Sequence, residues 1–159
     1  MSQPASKAQS TAVGTVISIG GVTGVVTSPP TAFEPIGEVT SAKFSGIKTG
    51  VADVSTFDAN VKRKLGTLID YGTFTCTTIR VSTDTGQAAV IAAAASAKLY
   101  DFKVQLEPNT AAGQTTTGDL IEFSGVVTEA GGFDLDLNKQ SDFTFTIDID
   151  GEWTITEGA

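Results

Sequence analysis

Hydrophobic and polar residues alternate most sharply in the second half of the chain. LYDFKVQL (99–106) places Tyr100, Phe102, Val104 and Leu106 on one face of an extended strand and Asp101, Lys103 and Gln105 on the other. FDLDLN (133–138) sets Phe133, Leu135 and Leu137 against Asp134, Asp136 and Asn138. DFTFTIDI (142–149) sets Phe143, Phe145, Ile147 and Ile149 against Thr144, Thr146 and Asp148. Each reads as a strand with one apolar and one wet face, the pattern of antiparallel sheets covered on one side. Nearer the N-terminus, VGTVISI (13–19) and VTGVVT (22–27) are β-branched runs separated by Gly20-Gly21, a hairpin signal. SPPTAFEP (28–35) reads as a loop because prolines remove ladder donors, and PIGEVTSAKF (35–44) resumes an extended pattern.

Two segments break this pattern. DTGQAAVIAAAAS (84–96) predicts a short helix, about 84–98, with Asp84 as its cap and Gln87 positioned to reach back in a capping box. Val90, Ile91, Ala94 and Ala95, followed by Leu99, form its apolar stripe, and the small alanines allow close packing on a sheet. SGIKTGVADVSTFDANVKRKLG (45–66) contains the basic run Lys62-Arg63-Lys64 and only scattered apolar positions. It predicts a long extended loop, either an ordinary solvated surface or, as such long connections often are, a functional one. PNTAAGQTTTGD (108–119) reads as a flexible connection and residues 1–12 as a mobile arm, which leaves one domain over 13–159. The expected fold is mainly β: a two-sheet antiparallel sandwich or barrel with one flanking helix.

Composition narrows the function. The chain has 159 residues, 40% apolar and 18% charged, which suits a globular domain with a real core. Its formal charge of −8 opposes loose binding to nucleic acid phosphates or anionic membranes. No run is long and apolar enough for a membrane span, and the N-terminus lacks the apolar core of a secretory signal, so synthesis in the cytoplasm is expected. Cys76 is the only cysteine; mid-strand in TFTCTT it reads as a small buried hydrophobe, the alternative being a reactive thiol.

Enzyme signatures are missing. The absence of histidine removes Ser-His-Asp and Cys-His arrangements and the usual zinc sites. SGIKTG contains S-x-x-K and K-T-G overlapped in one loop, where they cannot face each other across a pocket. DLDLN and DIDGE begin like calcium loops but fail at the sixth and twelfth positions, Lys139 and Phe145 or Trp153 and Ala159. No catalytic, cofactor-binding or metal-binding residue is assigned. Charge is uneven, however: of the eighteen acids, ten lie after residue 118, opposed only by Lys139, while the cations Lys62, Arg63 and Lys64 cluster in the odd loop. Such a molecule can attract a copy of itself end to end.

The order of segments is also distinctive. EVTS opens a strand and SG follows it; then come D-V-S-T-F-D (53–58), D-Y-G-T-F (70–74), a strand, D-T-G-Q-A-A (84–89) leading the helix, and F-x-V (102–104) in the next strand. Over residues 37–106, and more loosely through GDLIEFSGVVTEAGG (118–132), this resembles the major tail tube proteins of long-tailed, siphovirus-type bacteriophages. One departure is AAAASAKLY, where those proteins often place a glycine turn after the helix. The resemblance implies a non-enzymatic virion protein without cofactor, made in the host cytoplasm and resident in the tail. It implies hexameric rings stacked into a hollow tube that passes double-stranded DNA. Its partners would be itself, the tape measure, the tail tip and the tail terminator, with no membrane. Contacts between subunits or rings would come from Asp53, Phe57, Asp58, Lys62, Arg63 and Lys64. The N-terminal arm and the 108–119 connection are further contact candidates. Asp134, Asp136, Asp148 and Asp150 would line an acidic lumen. The competing reading is a monomeric β-sandwich binding module, for carbohydrate or virion-surface decoration; it requires an exposed aromatic platform, for which one tryptophan and two tyrosines offer little.

Overall fold

The structure, a computed structural model, describes residues 14–22, 33–58 and 60–159. The expected N-terminal arm, residues 23–27 of the second expected strand and most of the proline loop lie outside the described residues. Nine strands and one helix follow in the order β1 (Val16–Val22), β2 (Glu34–Ile36), β3 (Val39–Phe44), β4 (Lys48–Asp53), β5 (Lys64–Asp70), β6 (Thr73–Ile79), α1 (Thr85–Ser96), β7 (Leu99–Gln105), β8 (Leu120–Ala130) and β9 (Asp142–Thr156). Seven of them form one antiparallel sheet in the order β2-β1-β7-β8-β9-β6-β3, and β4 and β5 pair only with each other.

The two ends of that seven-stranded order are successive pieces of one strand. Residues 34–36 pair with β1, and after Gly37 and Glu38 the same chain pairs with β6. The sheet therefore curls back on itself into a barrel, with Glu38 at φ 57° marking the corner. Alternation fills its interior as expected. Phe102 and Val104 of β7, Phe123 and Val127 of β8, and Phe143, Phe145 and Ile147 of β9 are buried, with Phe74 and Cys76 of β6. Their rings form a continuous chain: Phe44 lies 4.7 Å from Phe74 and 5.4 Å from Phe123, and Phe123 stacks on Phe102 at 5.5 Å. Each such side chain contributes about 1.5–3 kcal/mol of transfer free energy, which is why the alternating runs decide the fold. The opposite face of β6 and β9 is hydroxylated, with Thr75 facing Thr146, and Thr77 facing Thr144 at 3.3 Å between hydroxyls.

The helix is held differently from the expectation. Asp84 caps it, its Oδ1 accepting from the N–H groups of Gly86 (2.8 Å) and Gln87 (3.4 Å). Gln87 does not reach back. Its buried amide donates to the carbonyls of Ile79 (2.9 Å) and Gly37 (3.4 Å) and accepts from Val81 N (3.1 Å) and Arg80 Nη1 (3.0 Å). Asp84 Oδ2 also accepts from Gly37 N at 2.8 Å, so cap and amide together clasp the barrel corner. The buried helix residues are accordingly Gly86, Gln87, Val90 and Ala93, while Ile91 and Ala95 are exposed, a stripe rotated from the expected one. Gly86 is needed for this approach: a Cβ there would overlap the carbonyl oxygen of Pro35 and sit 2.8 Å from Ile36 Cα. The helix ends at Ala97, which takes the left-handed conformation at φ 54° where a glycine is usual.

Three other expectations change. Gly20-Gly21 is not a turn; β1 runs through it with a bulge between Ile19 and Val22, where glycine relieves crowding in the ladder. Residues 133–138 do not form a strand. Asp134 makes one isolated bridge to Asp142 and a turn follows at Leu137 and Asn138, because β8 is flanked by β7 and β9, and β9 by β8 and β6, leaving neither an edge for the segment to join. The 108–119 connection contains a 3-10 turn at Thr110–Ala112 and is tied down, with Ala159 O accepting from Thr115, Thr116 and Thr117 N–H groups and Gln105 Nε2 donating to Gly118 O at 2.9 Å. No helix among the described residues is long and apolar enough to cross a membrane.

Gly86→Ala is expected to destabilise by about 1–3 kcal/mol despite alanine's better helix propensity, because the added methyl meets backbone. Ala97→Gly is expected to stabilise by about 0.5 kcal/mol by relieving the left-handed alanine. Urea unfolding of both variants measures the two effects. Burial pushes the Cys76 thiol from its ordinary 9.0 up to about 12, so the folded state holds that proton more tightly than the unfolded chain. That stabilisation is complete below pH 9.0 and is lost as pH rises toward 12. Native protein at pH 8 should resist alkylation while denatured protein reacts, which mass spectrometry would read directly.

Candidate functional site

The segment expected as an extended loop does extend, as the β4–β5 hairpin. It leaves the barrel between the end of β3 and the start of β6, and among the described residues its two strands pack chiefly against each other. The root is tightly tied: Ser45 N donates to Thr73 O (2.9 Å), Thr73 N donates to Ser45 Oγ (2.8 Å), and Gly72 N donates to Asp70 Oδ1 (2.8 Å). Two glycines flank this junction in left-handed conformations, Gly46 at φ 90° and Gly72 at φ 83°.

Every residue of β5 is exposed, and all of β4 except the half-buried Ala52. The register pairs Thr49 with Ile69, Val51 with Gly66 and Ala52 with Leu65. Val51 and Ile69 therefore occupy one face and Leu65 and Leu68 the other, with Leu68 88% exposed. An isolated two-stranded ribbon is marginal in water, and one with apolar side chains on both faces gains stability only when both faces are covered.

The six contact candidates come together on this hairpin. Asp53 ends β4, Phe57 and Asp58 form the turn at the tip, and Lys62, Arg63 and Lys64 lead into β5. Val54 N donates to Arg63 O (2.9 Å) and Arg63 N to Ser55 Oγ (2.9 Å), which shapes the tip. Hydrogen bonds from the Ser55 hydroxyl and backbone N–H hold the Asp53 carboxyl below the usual carboxylate range. Phe57 is fully exposed, and Lys62, Arg63 and Lys64 all face solvent.

The four acidic candidates divide into two pairs. Asp148 and Asp150 lie on the outer face of β9, opposite Thr73 and Ser124 respectively, and are exposed. Asp134 and Asp136 lie in the β8–β9 connection, where Lys139 pairs with Asp134 and raises its own pKa by that contact. Beside them Leu135 and Leu137 are exposed, Leu135 at 76%. These leucines and the hairpin's Val51, Leu65, Leu68 and Ile69 are exposed apolar residues that the sequence reading misses, whereas Phe57 is among its candidates. The signal lay in the letters VADV and KLGTLID, apolar residues on both faces of a strand, which strand periodicity alone does not mark as exposed.

A second apolar feature is a cleft of about 490 Å³ where β3 diverges from β1 beyond the corner, lined by Ile17, Val39, Phe44, Val104, Leu106 and Ile121. Among the described residues β3 has no partner on its second edge.

Comparison with known proteins places this geometry. No family model and no curated protein sequence matches the chain. Solved structures do. A chain of the PVC extracellular contractile injection system sheath/tube terminator in the extended state superposes with a TM-score of 0.67 at 14% identity, covering 96% of this chain and 99% of that one. The tail of an empty gene transfer agent particle, refined with C6 symmetry, gives 0.61 at 12% identity, covering 89% and 94%. The SPP1 tail tube gives 0.63 at 9% identity, covering 90% and 76%. The chain has the tail tube fold. In tube-fold terms, the curled sheet and its clasped helix are the body, and the β4–β5 hairpin is an arm that the body does not need for its own core.

Replacing Lys48–Asp70 by a short Asn-Gly turn is therefore expected to leave the body folded, with unfolding free energy changed by less than about 1 kcal/mol. Denaturant titration followed by tryptophan fluorescence tests this, because Trp153 packs against Tyr71 and Phe44 near the root.

Proposed function

We propose that this protein is a structural, non-enzymatic subunit that assembles with copies of itself into hexameric rings, stacked as the tail tube of a phage-like particle. The observation that carries this reading is the fully exposed arm, apolar on both faces, on a body with the tail tube fold. Exposed apolar ribbons and open strand edges are liabilities in a solitary molecule and assets in a closed assembly. The unpaired edge of β3 and the cleft beside it supply further surface for a neighbour. Six-fold order is supported by the C6 tail among the similar structures.

Charge supports the accompanying reading of a channel for double-stranded DNA. Six copies at −8 carry −48 formal charges per ring. With Asp148 and Asp150 on its wall, and Asp134 and Asp136 toward one end, a lumen would repel phosphates over only about 8–10 Å at physiological salt, which keeps DNA from adhering without barring its passage. Tape measure, tail tip and tail terminator proteins are the partners this role requires, and the virion tail is its location.

Electron microscopy of purified protein should show six-membered rings or tubes, whereas the arm-replaced variant should form none. A wild-type protein that stays monomeric at high concentration overturns the proposal.

A further inference from the structure

The arm and the β8–β9 connection stand at opposite ends of the same strand pair. The arm is rooted where Thr73 faces Asp148, and the connection returns where Ile79 faces Asp142. Six residue steps separate these pairs, about 20 Å along the strands. The two segments share a physical character: both expose apolar side chains that no other described residue covers, Phe57, Val61 and Leu65 on the arm and Leu135 and Leu137 on the connection. They differ in sign. The arm tip carries Lys62, Arg63 and Lys64 in succession beside Asp53 and Asp58, an excess of cations, whereas the connection carries Asp134 and Asp136, flanked by Glu129 and Asp142, against Lys139 alone.

The connection is also shaped rather than loose. Asp134 and Asp142 exchange backbone hydrogen bonds at 3.3 and 3.2 Å, Phe133 packs on Phe143 at 5.9 Å, and Asp136 Oδ1 accepts from Asn138 N at 2.9 Å. That scaffold leaves Leu135 and Leu137 directed to solvent with Asp136 between them.

We propose that the β8–β9 connection of one copy, residues 131–141, is the receiving surface for the arm tip of the next copy. This rests on the self-assembly reading and adds to it the identity and polarity of the contact. Tip against tip would bring two cation runs together, and connection against connection would bring two sets of acids together; only tip against connection covers the apolar groups and pairs the charges. Because donor and receiver are different surfaces, with the arm rooted at the far end of the strand pair from the connection, the contact is heterologous and repeats along an axis when it does not close into a ring. The charges thus select head-to-tail stacking over a back-to-back pair of rings.

The test uses two charge-reversed full-length chains: Lys62→Glu, Arg63→Glu, Lys64→Glu on the arm, and Asp134→Lys, Asp136→Lys on the connection. Wild type is first assembled alone and scored by sedimentation and electron microscopy. Each reversed chain alone should need roughly tenfold or more higher concentration to stack, since like charges now meet. An equimolar mixture should stack at close to the wild-type concentration, because each chain's tip then matches the other's connection, giving alternating copies. Melting curves check that both chains fold; if Asp134→Lys disturbs the loop through Lys139, Asp136→Lys alone takes its place. Recovery in the mixture supports the pairing. A connection-reversed chain that stacks like wild type, or a mixture that fails while wild type assembles, overturns the pairing and leaves self-assembly standing. Wild type that never assembles overturns both.

Discussion

The structure depends on a clasp of two side chains at one corner. The sheet becomes a barrel because residues 34–44 leave β1 at Ile36 and join β6 at Val39, and the crossing at Gly37 is held by the Asp84 carboxylate and the Gln87 amide. A buried amide is stable only with its donors and acceptors filled, and Gln87 meets that demand with backbone from three places: the β2–β3 corner, the end of β6 and the turn into the helix. Gly86 lets the helix come close enough for those bonds to form. The D-T-G-Q stretch therefore encodes barrel closure, and the rest of the fold hangs from it.

This explains how far the sequence could be read. Strand β7 and the first half of β9, residues 142–149, were legible because their apolar residues recur every second position on a face that is buried or half-buried. Beyond Ile149 the burial stops, and the sequence reading stopped there too. The helix was legible from its cap and alanines, but its buried face was not. Gln87 counts as polar in any periodic reading, and its burial follows from distant backbone groups at Gly37 and Ile79. Residues 133–138 show the converse. Alternation there is as regular as at the start of β9, yet strand pairing needs a free neighbour, and β8 and β9 have both edges taken, by each other and by β7 and β6. Periodicity reports which faces differ, not whether a partner exists.

The candidate site was legible in its charges and not in its shape. Lys62-Arg63-Lys64 stands out in any scan, and its neighbours Asp53, Phe57 and Asp58 fell in the same unusual segment. That the segment is a paired ribbon was hidden, because a ribbon wet on both sides leaves no one-sided pattern. Val51, Ile69, Leu65 and Leu68 have no inside to point toward within one molecule. Their arrangement is the feature that the proposed assembly would account for, by covering both faces with a neighbouring copy.

The root of the arm carries a mechanical consequence. Gly46 has no atom within 4 Å of where a Cβ would sit, while Gly72 is hemmed by Ser45 and the Gly46 carbonyl, and the Ser45–Thr73 hydrogen bonds tie the base between them. A paired ribbon of six residues is stiff and about 20 Å long, so a rotation of roughly 10° at its base carries the tip about 3–4 Å. In the assembly proposed above, subunits would be joined through such levers, so that the small play left at each tied base would be magnified at the contact while the barrels stayed unchanged.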